Sequence, residues 1–216
     1  MGVYVQYGAG WSAPDGWLNF DASPTLRVER LPLVGKTLGR LSGNAAPFPA
    51  STRYGNIVKG LPLSDGSVDG LYASHVLEHL TLQEMRVALK RSYALLKPGG
   101  IFRLIVPDLM ARAKAYVAAE GRSDAANQFL LATGLGQETR GVGVTGRIRT
   151  LIGNSSHLWM FDYPAMELEL ANAGFNAIRA ASFGDSSDRM FDKVEDIQRF
   201  IDHDIREVAI EARRSL

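Results

Sequence analysis

The sequence contains no cysteine, so disulfides, thiolate metal sites and a cysteine nucleophile are all excluded. It has no apolar run near the ~18–20 residues that a membrane-spanning helix needs. The opening MGVYVQYGAGW lacks both a basic region and a long apolar stretch. No secretory signal is therefore expected there, and a cytoplasmic protein without a membrane partner is the expectation. Neither sign of charge dominates: 24 Lys and Arg face 23 Asp and Glu, a net +1. Without a polybasic field, nucleic acid is not the expected partner. Of the four histidines only His75 and His79 stand four apart, and no metal site is expected from the sequence. What is present is 216 residues with 46% hydrophobic and 22% charged content. That suits one globular domain over 1–216, large enough to bury a full α/β core.

The stretch from Leu61 to Asp108 reads LPLSDGSVDGLYASHVLEHLTLQEMRVALKRSYALLKPGGIFRLIVPD. Behind the turn residues Asp65-Gly66-Ser67, the apolar run Val68, Leu71, Tyr72 and Ala73 predicts a strand buried on both faces. Leu82, Met85, Leu89, Tyr93 and Leu96 recur at spacings of three and four and predict an amphipathic helix. Lys97-Pro98-Gly99-Gly100 stops it, because proline breaks the ladder and glycine takes the positive-φ turn. Ile101 to Val106 supplies a second strand. Strand, crossover helix and strand in that order predict a parallel sheet with right-handed connections.

This block is similar to the middle of the class I S-adenosylmethionine-dependent methyltransferases. GWLNFDASP, HLWMFDY, FGDSSD and AIEARR further resemble a small bacterial group of them, often suspected of acting on sugars or polysaccharide precursors. The resemblance implies an enzyme that uses S-adenosylmethionine. It also implies an α/β fold with a single doubly wound, mostly parallel sheet flanked by helices, the Rossmann-like methyltransferase fold with an antiparallel last strand.

Elsewhere, Val3 to Tyr7 and Trp17 to Phe20 read as the first two strands. Prolines 24, 32, 47 and 49 permit only one short helix, near Leu26 to Val34, in the segment 22–55. Ile57-Val58 is expected as a short edge strand. Asp108 to about Thr133 reads as helix broken near Gly121, and Pro164 to Ala173 as a helix ended by Gly174. Asn176 to Phe183 and Glu207 to Ala212 read as the last strands, joined by a helix around Val194 to Ile201. The glycine-dense segment 134–149, with Arg140, Arg147 and Arg149, is a lid candidate over an anionic acceptor or else a solvated loop.

The candidate site residues follow from this layout. Gly8-Ala9-Gly10 after the first strand lets backbone approach a ligand closely, or forms an ordinary tight turn. The resemblance sets these residues against the aminocarboxypropyl group and ribose of the cofactor. Asp21 is its ribose-binding acid, or a turn cap before Pro24. Asn56 stands where relatives carry an adenine-binding aspartate, with Ile57 and Leu61 as apolar walls; the alternative is a loop asparagine. Ser74 and His75 follow the fourth strand, beyond whose end open parallel sheets bind ligands. Their backbone would line the sulfonium end, and His75 can reach the acceptor. His79, beside Glu78, is read as a helix-holding residue. His157 is the base candidate of the resemblance, its alternative a packed histidine among Leu158, Trp159, Met160 and Phe161.

The expected reaction is methyl transfer to an oxygen or nitrogen of a small polar acceptor, a sugar or glycan precursor first. A non-catalytic cofactor-binding or partner-docking protein is one alternative. An NAD-dependent oxidoreductase is the other, since GAGWSA formally fits the dinucleotide fingerprint. However, Pro14-Asp15-Gly16 interrupts at once, and only six residues separate Gly10 from Trp17. That is short of the ~10–12 of a usual parallel crossover.

Overall fold

The computed structural model describes residues 2–32, 46–136 and 156–216. The greater part of the lid candidate, including its three arginines, lies outside them. Seven strands form one sheet in the order β3-β2-β1-β4-β5-β9-β6: β1 Tyr4–Tyr7, β2 Trp17–Asp21, β3 Arg53–Tyr54, β4 Val68–Ser74, β5 Leu96–Val106, β6 Asn176–Ala180 and β9 Val208–Arg213. β9 runs antiparallel to both β5 and β6, and the pairs from β3 to β5 are parallel. The helices are α1 Pro24–Glu29, α2 Leu82–Leu95, α3 Leu109–Ala118, α4 Ala125–Ala132 and α5 Tyr163–Asn172. Among the described residues no helix is long and apolar enough to cross a membrane.

α2 forms where the pattern places it. Thr81 accepts from the Glu84 amide while Glu84 reaches back to the Thr81 amide, a reciprocal cap that satisfies two orphan donors. Met85, Ala88, Leu89, Ser92 and Leu95 are the buried face, each large apolar member contributing about 1.5–3 kcal/mol. Period-two alternation splits β4 between two cores. Leu71 and Ala73 join α2 and α5 on one face. Tyr72 joins Trp17, Ile105, Phe191, Val194 and Phe200 on the other.

As the short spacing from Gly10 to Trp17 implies, no helix links β1 to β2; residues 8–16 make the parallel connection through tight turns, Ser12 N to Ala9 O and Trp17 N to Pro14 O. Other expectations are corrected. Ile57-Val58 is not a strand. The edge is Arg53–Tyr54, paired with Phe20 and Asp21, and Ile57-Val58 lies inside a turn closed by an Asn56–Gly60 bridge. The helix expected around Val194 to Ile201 is replaced by two 3-10 turns, Phe191–Lys193 and Ile197–Arg199, and a small hairpin, β7 Ile201–Asp202 with β8 Ile205–Arg206. The cause is tertiary: buried Arg103 on β5 binds Glu195, Asp185 and Glu211 and the Ser182 carbonyl. These contacts pin the segment to the sheet in pieces. The Lys97-Pro98-Gly99-Gly100 break stops α2 but falls within β5, as a register step between Val68↔Leu96 and Gly70↔Ile101.

Candidate active site

The carboxyl ends of β1, β2 and β4 meet at one pole, where such sheets bind ligands. Gly8 and Gly10 both take positive φ, +69° and +54°. A Cβ on Gly8 would sit 2.1 Å from Val76 Cγ2, so Gly8 is a packing glycine that ties this loop to the end of β4. A Cβ on Gly10 would meet no heavy atom within 4 Å, which leaves the space beside it for a ligand. Ala9 is buried, and its amide donates to the Phe20 carbonyl.

Asp21 holds this arrangement together. Its Oδ2 accepts from the Gly10 amide at 2.8 Å and its Oδ1 from the Ser23 amide at 2.7 Å. Both oxygens thus serve the loop backbone, as in the turn-cap reading. Asn56 Oδ1 accepts from the Lys59 amide at 3.1 Å, the loop-asparagine role. Ile57 and Leu61 are both buried in the core rather than open as walls.

His75 closes β4 with φ +54°, a strained conformation for a side-chain-bearing residue. Its Nε2 donates to the Arg199 carbonyl at 3.0 Å, and its Nδ1 lies 3.5 Å from Glu78 Oε1. Burial pulls this imidazolium down, but Glu78 and the Arg199 carbonyl raise it more, and the net shift is above the ordinary value.

His157 lies 78 positions beyond His79 in sequence yet stacks edge-on against it, ring centroids 5.1 Å apart. Backbone bonds bring it there: His157 N to Gly134 O, Leu158 N and Trp159 N to Glu78 O. Its Nδ1 donates to the Thr133 carbonyl at 2.7 Å, which leaves Nε2 as the ring's other nitrogen, without a hydrogen bond to Thr133. Burial, ahead of the opposing pull of Glu78, sets its titration below the ordinary value. His79 Nδ1 donates to the Ser156 carbonyl, and its Nε2 is 3.9 Å from Glu78 Oε1. Glu78 itself is fully buried. Ligand atoms of Glu78, His79 and His157 all lie within 4.8 Å of one another. Sequence spacing missed this group because His157 joins the adjacent Glu78 and His79 of one 3-10 turn only in the fold.

The two shifted histidines give opposite pH signatures. His157 has a lowered folded pKa, so its contribution to stability is present above about 6.5 and is lost as pH falls through the folded value. His75 has a raised one, so its contribution is present below about 6.5 and is lost as pH rises through the folded value. A titration followed by NMR is expected to place the two midpoints on opposite sides of the free-histidine value. Midpoints on the same side would remove the assigned environments.

An open α/β sheet with a glycine loop at the end of β1 and an acid at the end of β2 defines a core that binds a nucleoside-bearing cofactor. Residues 30–104 match the family model described as a methyltransferase domain. The strand order with the antiparallel β9 is the fold of the class I S-adenosylmethionine-dependent methyltransferases. One similar solved structure is an S-adenosylmethionine-dependent methyltransferase from Thermotoga maritima, described as a possible histamine N-methyltransferase. It shares 16% identity over 100% of this chain and 83% of that one, with a TM-score of 0.51. Another, from Methanosarcina mazei, shares 16% identity over 99% and 92%, with a TM-score of 0.52. At such identities the likeness is one of fold. No curated protein matches the chain.

Proposed function

We propose that the protein methylates an oxygen or nitrogen of a small polar acceptor, with a hydroxylated sugar or glycan precursor as the leading class. S-adenosylmethionine supplies an electrophilic methyl group on sulfur, so the chain's own task is to align the acceptor and receive a proton. Gly8, Ala9 and Gly10 form the floor for the cofactor, Asp21 binds its ribose, and Asn56 lies at its adenine end with Ile57 and Leu61 beneath. Ser74 and His75 bound the methyl end. His157 Nε2 takes the proton as the acceptor's oxygen or nitrogen bonds to the methyl carbon and the carbon–sulfur bond breaks.

The observation that carries this reading is the pairing, at one pole, of open space beside Gly10 with a histidine whose Nδ1 is committed and whose Nε2 is available. The contact of Gly8 with Val76 joins the two halves, since Val76 precedes Glu78 by two residues. Calorimetry is expected to show micromolar S-adenosylhomocysteine binding and none of NAD. Donor consumption should then appear with hydroxylated sugars or their phosphates. Tight S-adenosylhomocysteine binding with no turnover across hydroxyl and amine acceptors would favour the cofactor-binding, partner-docking alternative.

A further inference from the structure

Glu78 is a carboxylate with no exposure, and among the described residues neither of its oxygens accepts a hydrogen bond. A buried charge ordinarily has a partner or binds a cation. Three imidazoles surround it, all anchored the same way. His75 gives its Nε2–H to the Arg199 carbonyl, His79 its Nδ1–H to the Ser156 carbonyl, and His157 its Nδ1–H to the Thr133 carbonyl. A carbonyl can only accept, so each outer nitrogen carries the proton. In the neutral rings the inner nitrogens of His79, 3.9 Å from Oε1, and of His157 are then lone pairs, while His75 Nδ1 lies 3.5 Å from Oε1. An imidazole whose far N–H is held by a backbone carbonyl is also the usual state of a metal-ligating histidine.

We propose that Glu78, His79 and His157 bind a divalent transition-metal ion of the zinc or manganese class. Two imidazoles and one carboxylate are a donor set for such ions, and three protein ligands leave a coordination position open, as in catalytic sites. Bonds of about 2.0–2.2 Å require donors about 3–3.5 Å apart. Small rotations of the Glu78 carboxyl and the two rings close the present 4.8 Å limit to that span.

The consequence for catalysis rests on the proposed methyl transfer; the binding of the ion does not. An acceptor hydroxyl at the open position would have its pKa lowered by the ion. It would release its proton to water and attack the methyl carbon as the carbon–sulfur bond breaks. His157 would then serve as a ligand in place of a base, which separates the roles: direct proton transfer needs His157 alone, whereas the ion needs Glu78, His79 and His157 equally.

The test is a Co²⁺ titration of chelator-treated full-length protein, read by visible absorption and calorimetry. One equivalent is expected to bind with d–d bands that Zn²⁺ displaces. Glu78→Gln, His79→Ala and His157→Ala should each weaken binding more than ~100-fold, beyond the ~10–100-fold typical of outer partners. His203→Ala, at a histidine whose side chain is 94% exposed, should bind as wild type. S-adenosylhomocysteine affinity reports the folding of each variant, and His157→Ala, on a surface-facing loop, serves if Glu78→Gln fails to fold. Wild-type protein that binds S-adenosylhomocysteine without stoichiometric Co²⁺, or bands that persist in folded variants, would overturn the proposal and leave the methyl-transfer reading standing. Stoichiometric Co²⁺ binding without any methyl transfer would sustain the site and sink that reading.

Discussion

Turnover of His157→Ala is expected to fall about 10²–10⁴-fold, the range for loss of a group that handles the acceptor's proton, with S-adenosylhomocysteine affinity nearly unchanged. The position of this residue is set by its backbone rather than by its ring. The His157, Leu158 and Trp159 amides bind the Gly134 and Glu78 carbonyls, and the ring adds the Nδ1 bond to Thr133 and an edge contact with His79. Removing the ring therefore leaves the loop docked. Gly134→Ala is a useful companion because it keeps the imidazole. Its new Cβ would lie 2.7 Å from His157 Nδ1, at a backbone φ of +64°. The ring must move, and turnover should fall while the side-chain chemistry is intact. Steady-state rates together with thermal melts decide the matter. A loss of only a few-fold in His157→Ala, with a clearly lower melting temperature, would return this residue to the packed-histidine role.

Gly10→Val is expected to abolish S-adenosylhomocysteine binding without unfolding the protein. Its Cβ enters open space rather than neighbouring atoms, so the folded chain sustains only the strain of a left-handed residue, about 1–2 kcal/mol. The ligand, however, loses the volume it would occupy. The same reasoning separates Gly8, where the Val76 side chain already fills the Cβ position; Gly8→Ala should act through stability. Asp21→Ala removes the acceptor for the Gly10 and Ser23 amides as well as the ribose contacts. It should weaken binding by roughly 1.5–3 kcal/mol, or about 10–150-fold. Calorimetry on both variants, with circular dichroism to confirm folding, reads the effect. Wild-type affinity in Asp21→Ala would remove Asp21 from the cofactor site, and retained binding in Gly10→Val would move the cofactor elsewhere.

The motifs of the resemblance divide along the same line. Asp185 of FGDSSD and Glu211 of AIEARR bind the buried Arg103 guanidinium. Arg214 of AIEARR donates to the Ala94 carbonyl at the end of α2, where a cation suits the exposed carbonyls. In HLWMFDY, Asp162 caps α5 by accepting from the Ala165 amide. Much of what makes these strings recognisable is therefore the holding of loops to the sheet. A sequence pattern cannot distinguish such a carboxylate from a catalytic one until its partner is known.

The sequence alone determined the elements whose causes are local. The β4–α2–β5 unit, the break near Gly121 and the helix ended by Gly174 all rest on short-range periodicity and caps within a few residues, which act wherever the chain goes. The glycine loop and Asp21 were legible for the same reason. Only the tertiary structure decided the rest. The helix-free link from β1 to β2 depends on pairing with strands on either side. The 3-10 turns after Phe191 replace a helix because Arg103, some 90 residues earlier, draws Glu195 into the sheet. The cluster of Glu78, His79 and His157 exists because backbone amides of one loop find the carbonyl of another. Such contacts join residues far apart in the chain, and no spacing rule along one strand or helix contains them.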